Sequence, residues 1–367
     1  MLRRSKTSLP PPDAFLLVIA GIVILFGLVA LTSASGIVAF NKFGDSFFYV
    51  RRQLLFGLFP GMILFSVGLF IPYTFWRRIA FPFFVAALVL LVLVLIPGIG
   101  ASYGRARSWF SFAGFSLQPA EIAKIAVLFC LALFLERRNR FLAFAIVLGP
   151  TLFLIMLQPD VGTLALLAAV GVVVYFVSGA PWWHLLLLFL SGGGALAGLI
   201  AMAPYRLARV MTFLHPLSDP SDTGYQLMQS LVAIGSGGWF GVGLGASRQK
   251  LQYLPEVAAD SIFSIISEEL GFIIVAAFIL ALLLFSYRGF YIARRAPDQF
   301  SRLFTVGVFT WFLAQAFLNI GSMIGILPLT GLPLPFVSYG GTALTVSLFA
   351  LGVVANISRY THKNTRT

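Results

Sequence analysis

The sequence predicts an all-α, polytopic membrane protein with about ten transmembrane helices and a large extracytoplasmic loop between the seventh and the eighth. Apolar residues make up 59% of the chain and charged residues only 10%, and the mean hydropathy is +0.97. The apolar residues also occur in long runs of about 20, the length that crosses a bilayer as a helix. The runs are continuous and show no strand-like alternation, which excludes a β-barrel.

The apolar runs follow one another with mostly short polar connections. We place them at residues 14–35, 49–70, 78–97, 119–135, 141–157, 161–178, 183–203, 262–287, 303–327 and 342–358. The membrane domain therefore spans residues 14–358, with tails at 1–13 and 359–367. The first run has no small-residue cleavage site after a short core, so we expect it to be retained rather than removed as a signal peptide.

Basic residues orient the predicted bundle. With the N-terminus in the cytoplasm, fifteen of the 25 Lys and Arg residues fall on the inner side, which is the bias that membrane topology follows. Both tails are then cytoplasmic. The net charge of +13 is mostly a consequence of this topology, and we expect no nucleic-acid partner.

Acidic residues show the opposite bias, because nine of the twelve lie at or near the outer face. Acidic residues contribute little to orientation, so their position indicates binding or chemistry outside the cell. Four of them occur within residues 253–271, at the outer start of the eighth run: Glu256, Asp260, Glu268 and Glu269. Ionisable residues at a membrane are by default candidates for a functional site.

The longest polar connection, residues 204–261, is the predicted large outer loop. Loops of this length are usually functional or disordered, and the non-repetitive mixture of aromatic, glycine and charged residues favours an ordered one. Its glycine-rich part, residues 235–245, permits tight turns and a close approach of the backbone to a ligand. Shorter outer loops are expected at residues 98–118, 158–160 and 328–341.

Several polar motifs stand in a fixed order along the chain. They are RSW (107–109), QPAE (118–121), QPDVGT (158–163), GYQ (224–226), the acidic segment 253–271 and PFVSYGG (335–341). Together they resemble the SEDS family (shape, elongation, division and sporulation), and the similarity covers most of the chain. Residues 243–256 are more similar to the division branch than to the elongation branch. The family's usual His-Thr before the motif aspartate is Ala258-Ala259 here.

The resemblance implies a peptidoglycan glycosyltransferase of the bacterial cytoplasmic membrane. Such an enzyme polymerises lipid II, an undecaprenyl-linked disaccharide-pentapeptide, into glycan strands at the outer face and releases undecaprenyl pyrophosphate. The strands serve either septal wall synthesis in cell division or elongation and rod shape. The implied partners are a class B penicillin-binding protein that crosslinks the strands and other divisome or elongasome membrane proteins. The alternative is a lipid II flippase without polymerase chemistry, and a third interpretation is a non-catalytic scaffold of a division complex.

Asp260 is the candidate catalytic residue. Glycosyl transfer needs a base that takes a proton from the attacking sugar hydroxyl and positive charge that stabilises the departing pyrophosphate. Partial burial at the membrane edge would raise the pKa of Asp260 toward a useful value. The residues alone leave an equal alternative, a helix N-cap that accepts from amides near Phe263. The resemblance favours the base, because the matching aspartate is the family's essential one.

Charged residues near the other motifs are candidates for substrate binding. Glu121 and Lys124 are spaced i,i+3 and can face each other on one helix, as a structural ion pair or as substrate contacts. Arg107 and Lys250 are outer cations that could hold a pyrophosphate, although a solvated charge is the commoner role for any one such residue. Arg107 is favoured because its motif matches the family.

Polar residues of the outer motifs complete the candidate site. Asp160, Gln226 and Glu256 could contact sugar hydroxyls or could cap and brace the loops, and the resemblance adds Gln118. Ser338 and Tyr339 are expected to shape the pocket.

Two further expectations concern charge and metal. Glu268 and Glu269 are consecutive on a helix and do not share a face, so we expect one to reach the cavity and the other to pair with a cation. The single Cys130 and the three scattered His residues show no ligand spacing, which argues against a zinc site. The outer acids could supply oxygen ligands to a divalent cation, and the sequence leaves that cofactor open.

Overall fold

The computed structural model describes residues 10–103, 106–112, 115–136, 140–201, 207, 211, 213–215, 223–251 and 253–361. Most of this chain is helical. The helices are α1 (Ala14–Phe43), α2 (Phe48–Phe70), α3 (Tyr73–Leu93), α4 (Pro119–Phe134), α5 (Arg140–Met156), α6 (Val161–Val177), α7 (Trp182–Ala201), α8 (Thr223–Gly237), α9 (Ile262–Arg294), α10 (Gln299–Met323) and α11 (Gly341–Thr361).

Helices overlap all of the predicted apolar runs. Within the described residues, six helices are long and apolar enough to cross a membrane: α1, α2, α3, α9, α10 and α11. Two shorter apolar helices lie within α5 and α6. The structure therefore confirms a mainly helical protein, with six candidate membrane spans among the described residues, and the number of ten stays a prediction.

A small β-sheet between α3 and α4 was not expected. Three antiparallel strands, β1 (Ala101–Tyr103), β2 (Ala106–Phe112) and β3 (Phe115–Leu117), pair in the order β1-β2-β3. Only two residues separate neighbouring strands, and each of these two pairs contains a glycine. The strands are too short to give a clear alternation of apolar and polar residues, so the sequence showed only a polar loop.

The centre of the bundle is α4, which is buried along almost its whole length. Its Phe129 ring stacks on Phe304 of α10 at a centroid distance of 4.4 Å, and a second ring, Phe349 of α11, meets it edge-on at 6.3 Å. Because α4 is surrounded by protein rather than lipid, it can carry charged side chains that a lipid-facing helix could not.

The predicted outer loop contains a helix. Helix α8 packs on α9, and the glycine-rich segment that follows it enters a break in α9 at Gly271, whose φ is 72° and ψ 177°. The amides of Val242 and Gly243 donate to the carbonyls of Glu268 and Glu269 at 2.9 and 3.0 Å. The inserted segment thus satisfies backbone groups that the break in this apolar helix leaves open, because buried backbone groups need hydrogen-bond partners.

We expect Gly271→Ala to destabilise the protein. The φ of 72° is strained for alanine, and an added Cβ would lie 2.2 Å from the Gly241 amide nitrogen. The strain alone should lower the free energy of unfolding by about 1–3 kcal/mol. Thermal melting in detergent tests this, with Gly21→Ala as the control, because nothing lies within 4 Å of a Cβ at Gly21. Equal melting temperatures for the two variants would contradict the inserted segment.

Candidate active site

A cavity of about 300 Å³ lies where α4 and α6 begin and where the turn before α9 meets the segment before α11. It brings together five of the residues that the sequence singles out. These are Gln118, Glu121, Asp160, Asp260 and Tyr339. Ser108 and Trp109 of the β-sheet complete one wall, so the unexpected sheet has a place in the site.

Asp260 is half-buried in the turn that leads into α9. The Gln226 amide nitrogen lies 3.4 and 3.5 Å from its two carboxylate oxygens and donates to the Ser261 hydroxyl at 3.0 Å. The Asn319 side chain of α10 donates to the Asp260 carbonyl at 2.8 Å. The N-cap of α9 is Ser261, so the alternative that Asp260 serves as this cap is wrong.

The surroundings of Asp260 raise the proton affinity of its carboxylate. Burial raises the pKa of Asp260 to about 6, and the negative charge of Glu256 adds to the rise. Hydrogen bonds from Gln226 and from backbone amides oppose it. The carboxylate is therefore ionised at neutral pH, while its proton affinity is high enough for useful general-base catalysis.

The segment before α11 holds the Asp260 turn in place. Ser338 is buried; its hydroxyl donates to the Ala259 carbonyl at 2.5 Å and accepts from the Leu334 amide at 2.8 Å. The Tyr339 amide donates to the Ala258 carbonyl at 2.8 Å. The Ser338 hydroxyl is thus engaged by backbone groups and positions the turn, whereas Tyr339 itself lines the cavity.

Glu121 and Lys124 form a buried ion pair of 2.7 Å, with side chains only 3% and 1% exposed. The Lys124 ammonium also donates to Gln315 at 3.2 Å and lies over the Trp311 ring at 4.9 Å. The second oxygen of Glu121, Oε2, is buried and has no hydrogen-bond partner among the described residues. Glu121 thus lines the cavity and keeps one buried oxygen that no described residue binds, while Lys124 pairs with its other oxygen.

Asp160 has two functions in the structure. It is the N-cap of α6, accepting from the Thr163 amide at 2.9 Å, and it lines the cavity. The Asp160 side chain therefore caps a helix, which is one of the two roles that the sequence left open. The same residue also borders the cavity where a ligand would bind.

The structure does not bring Lys250 to the cavity. Its ammonium is buried and pairs with Glu269 at 2.6 Å, and it also donates to the Ser33 carbonyl at 3.2 Å. Glu268 accepts from the Ser247 hydroxyl and from the Arg248 amide at 2.9 Å. Glu269 pairs with a cation as expected. Neither glutamate is among the described residues that line the cavity, so the expectation that one reaches it is wrong.

Two further candidates, Arg107 and Glu256, are not shown to line this cavity. Arg107 is in β2, but its side chain lies outside the described part of the structure. Glu256 is exposed, and its charge acts on Asp260 although it does not line the same cavity.

Three amide side chains were missed by the sequence analysis. Gln53, Gln315 and Asn319 are buried and bond the segment before α11: Gln53 at Ser338 and Gly340, Gln315 at Pro333, Asn319 at Leu332. A lone amide in an apolar helix was the available signal, since such a group needs a partner when buried.

The described residues do not form a ready-made metal site. Within the described ranges, no group of three or more His, Cys, Asp or Glu side chains is placed to hold one ion. A divalent cation would therefore depend on one or two carboxylates together with substrate phosphates. The cofactor stays a prediction, and no chemical step is assigned to it.

Comparison with known proteins identifies the family. A family model described as cell cycle protein, covering FtsW, RodA and SpoVE, matches residues 13–363. This chain belongs to the FtsW, RodA and SpoVE family. Stage V sporulation protein E of Bacillus subtilis (strain 168) is 43% identical to it over 366 residues, covering 97% of this chain and 98% of the relative.

A second relative belongs to the division branch of the family. The probable peptidoglycan glycosyltransferase FtsW of Trichlorobacter lovleyi is 40% identical over 359 residues, covering 94% of this chain and 93% of the relative. The resemblance to the SEDS family and to its division branch is thereby confirmed.

Solved structures of the family share the fold. A chain from "Structural coordination of polymerization and crosslinking by a peptidoglycan synthase complex" has a TM-score of 0.81 and 30% identity, covering 95% of this chain and 98% of that chain. The rod shape determining protein RodA of Thermus thermophilus has a TM-score of 0.71 at 29% identity, covering 95% and 97%. Membership of a multi-pass membrane family is therefore established by sequence and by fold.

Proposed function

We propose that this protein polymerises lipid II into glycan strands at the outer face of the cytoplasmic membrane. The observation that carries the proposal is Asp260, a half-buried carboxylate with a raised pKa at the wall of a polar cavity. Two relatives that are 40% and 37% identical to this chain are each named probable peptidoglycan glycosyltransferase FtsW. The family thus supplies the reaction class, and the cavity supplies a group that can perform it.

The reaction joins two lipid-linked sugars. The carboxylate of Asp260 takes the proton from a hydroxyl of one sugar as that oxygen attacks the anomeric carbon of the other. The bond between that carbon and the pyrophosphate breaks, and undecaprenyl pyrophosphate leaves with the electron pair. Glu121 and Asp160 line the cavity and are the proposed acceptors of hydrogen bonds from sugar hydroxyls. Arg107 is the proposed contact to the pyrophosphate.

Transport of lipid II across the bilayer is the competing function. A carrier needs polar groups along the whole depth of the bundle. Here the cavity, the Asp260 turn and the Glu121–Lys124 pair gather near one end of the helices. Parallel assays separate the two functions: polymer formed in detergent, where no second compartment exists, supports the enzyme, whereas transport into sealed vesicles without polymer supports the carrier.

The proposed partner is a class B penicillin-binding protein. A solved structure with a TM-score of 0.81 to this chain is described as a peptidoglycan synthase complex. We propose the same pairing here, in the bacterial cytoplasmic membrane with both termini inside, for septal wall synthesis and within the division machinery. Co-purification with the cognate transpeptidase tests the pairing, and separation of the two in mild detergent would count against it.

The pH dependence of polymerisation should report Asp260. Its pKa is raised to about 6, and a base must be deprotonated to act, so the rate should fall as the pH drops through about 6. Glu256→Gln removes a negative charge that favours the protonated form, so the pKa of Asp260 should fall and the acid limb should move to lower pH. The rate is measured from pH 5 to 8, with Asp45→Asn as the control. An unmoved acid limb in Glu256→Gln would contradict the coupling.

A further inference from the structure

A second cavity, of about 210 Å³, lies beside the first and is not used by the proposed chemistry. It is formed by the end of α1, the start of α2 and the segment before Asp260. Its lining residues are Val38, Lys42, Tyr49, Leu254, Pro255, Glu256, Val257 and Ala258.

The polar side chains of this cavity form no hydrogen bond or ion pair within the described part of the chain, although the charge of Glu256 acts on Tyr49 and on Asp260. The Lys42 ammonium, the Tyr49 hydroxyl and the Glu256 carboxylate are the charged or hydrogen-bonding side chains of its lining. None of them makes a hydrogen bond or ion pair with another described residue. The cavity therefore offers two donors and one strong acceptor on an otherwise apolar surface.

The two cavities share a thin wall. Ala258 lines the second cavity, while Ala259 and Asp260 line the first. The Tyr49 ring meets the Tyr339 ring edge-on at a centroid distance of 5.0 Å, and Tyr339 lines the first cavity. A ligand that occupies both cavities would therefore pass directly beside the Asp260 turn.

Glu256 is held in an unusual backbone conformation at the boundary. Its φ is +50°, and its carbonyl accepts from the amides of Ala259 and Ser261 at 2.9 and 3.3 Å. A left-handed conformation costs a non-glycine residue free energy and is concentrated at functional sites. The strained turn directs the chain so that Glu256 borders one cavity and Asp260 the other.

We propose that the second cavity binds a neutral sugar unit of the glycan, next to the unit that reacts at Asp260. The proposal rests on the proposed function and extends it by a carbohydrate subsite. A sugar ring presents hydroxyls that both donate and accept, which matches Lys42, Tyr49 and Glu256, and its apolar face can rest on an aromatic ring. A pyrophosphate fits less well, because the Glu256 carboxylate repels an anion.

The test is calorimetric binding of chitotetraose, a neutral β-1,4-linked sugar, to the purified full-length protein in detergent. Wild type is compared with Lys42→Met, Tyr49→Leu and Glu256→Gln. Loss of a hydrogen bond to a charged group should raise the Kd about tenfold in the Lys42 and Glu256 variants. Tyr49→Leu should also raise the Kd. The matched control is Tyr253→Leu, because Tyr253 is exposed in the same segment and is not a lining residue.

The binding constants of the variants decide whether the second cavity is a sugar subsite. Weakened binding in the three variants and unchanged binding in Tyr253→Leu supports it. No binding to wild type, equal binding by all variants, or preferential binding of inorganic pyrophosphate lost in Lys42→Met overturns it. Lipid II polymerisation by wild type is measured in parallel: polymer without sugar binding refutes the subsite alone, and sugar binding without polymer refutes the proposed function alone.

Discussion

Asp260→Asn should abolish lipid II polymerisation while leaving the protein folded. Asparagine has almost the same shape but cannot take the proton of the attacking hydroxyl, and loss of a general base typically costs about 10²–10⁴-fold in rate. The fold should persist because the Asn319 side chain binds the backbone carbonyl of Asp260 at 2.8 Å, and this bond does not depend on the Asp260 carboxylate. The rate is measured from the glycan formed by purified protein.

Two controls make this result specific. Thermal melting of Asp260→Asn in detergent should match wild type, and the variant should still co-purify with its transpeptidase. Asp45→Asn removes a carboxylate whose partner is the exposed Arg51, and it should retain activity. Normal strand synthesis by Asp260→Asn would refute the assignment of the base.

Lys124→Met should cause a large loss of stability. The variant leaves the Glu121 carboxylate buried without its cation, and breaking a buried ion pair on one side typically costs about 3–5 kcal/mol. Activity should fall as well, because Glu121 lines the cavity. The measurement is thermal melting in detergent together with expression level.

The matching double variant separates charge from packing. Glu121→Gln combined with Lys124→Met removes both charges and should recover much of the melting temperature, although not the activity. The surface control is Arg51→Met, since an exposed pair contributes about 0–1 kcal/mol and the Arg51 side chain is 63% exposed. Unchanged melting with lost activity in Lys124→Met would instead make Lys124 a substrate contact.

The features that depend on nearby residues were predictable from the sequence. Long apolar runs locate the helices because each helix satisfies its own backbone hydrogen bonds. The i,i+3 spacing of Glu121 and Lys124 correctly gave their ion pair, since helical neighbours meet regardless of the rest of the fold. The position of Asp260 directly before an apolar run also correctly placed it at the mouth of a helix.

The features that depend on distant segments were not predictable in this way. Lys250 was expected at the substrate because it is an outer cation, but Ser33 of α1 and Glu269 of α9 enclose it. The break at Gly271 exists because a segment about thirty residues earlier fills it. No local pattern specifies such partners, since the residues meet only after the helices pack.

The most direct test of the proposed chemistry counts both products of one reaction. Purified wild-type protein, with its cognate transpeptidase, is given labelled lipid II in detergent, and glycan linkages and undecaprenyl pyrophosphate are quantified together. We predict one undecaprenyl pyrophosphate released per linkage by wild type, and neither product from Asp260→Asn. Lipid II left intact by a folded wild-type complex that nevertheless moves it across sealed vesicles would contradict the polymerase and establish the carrier.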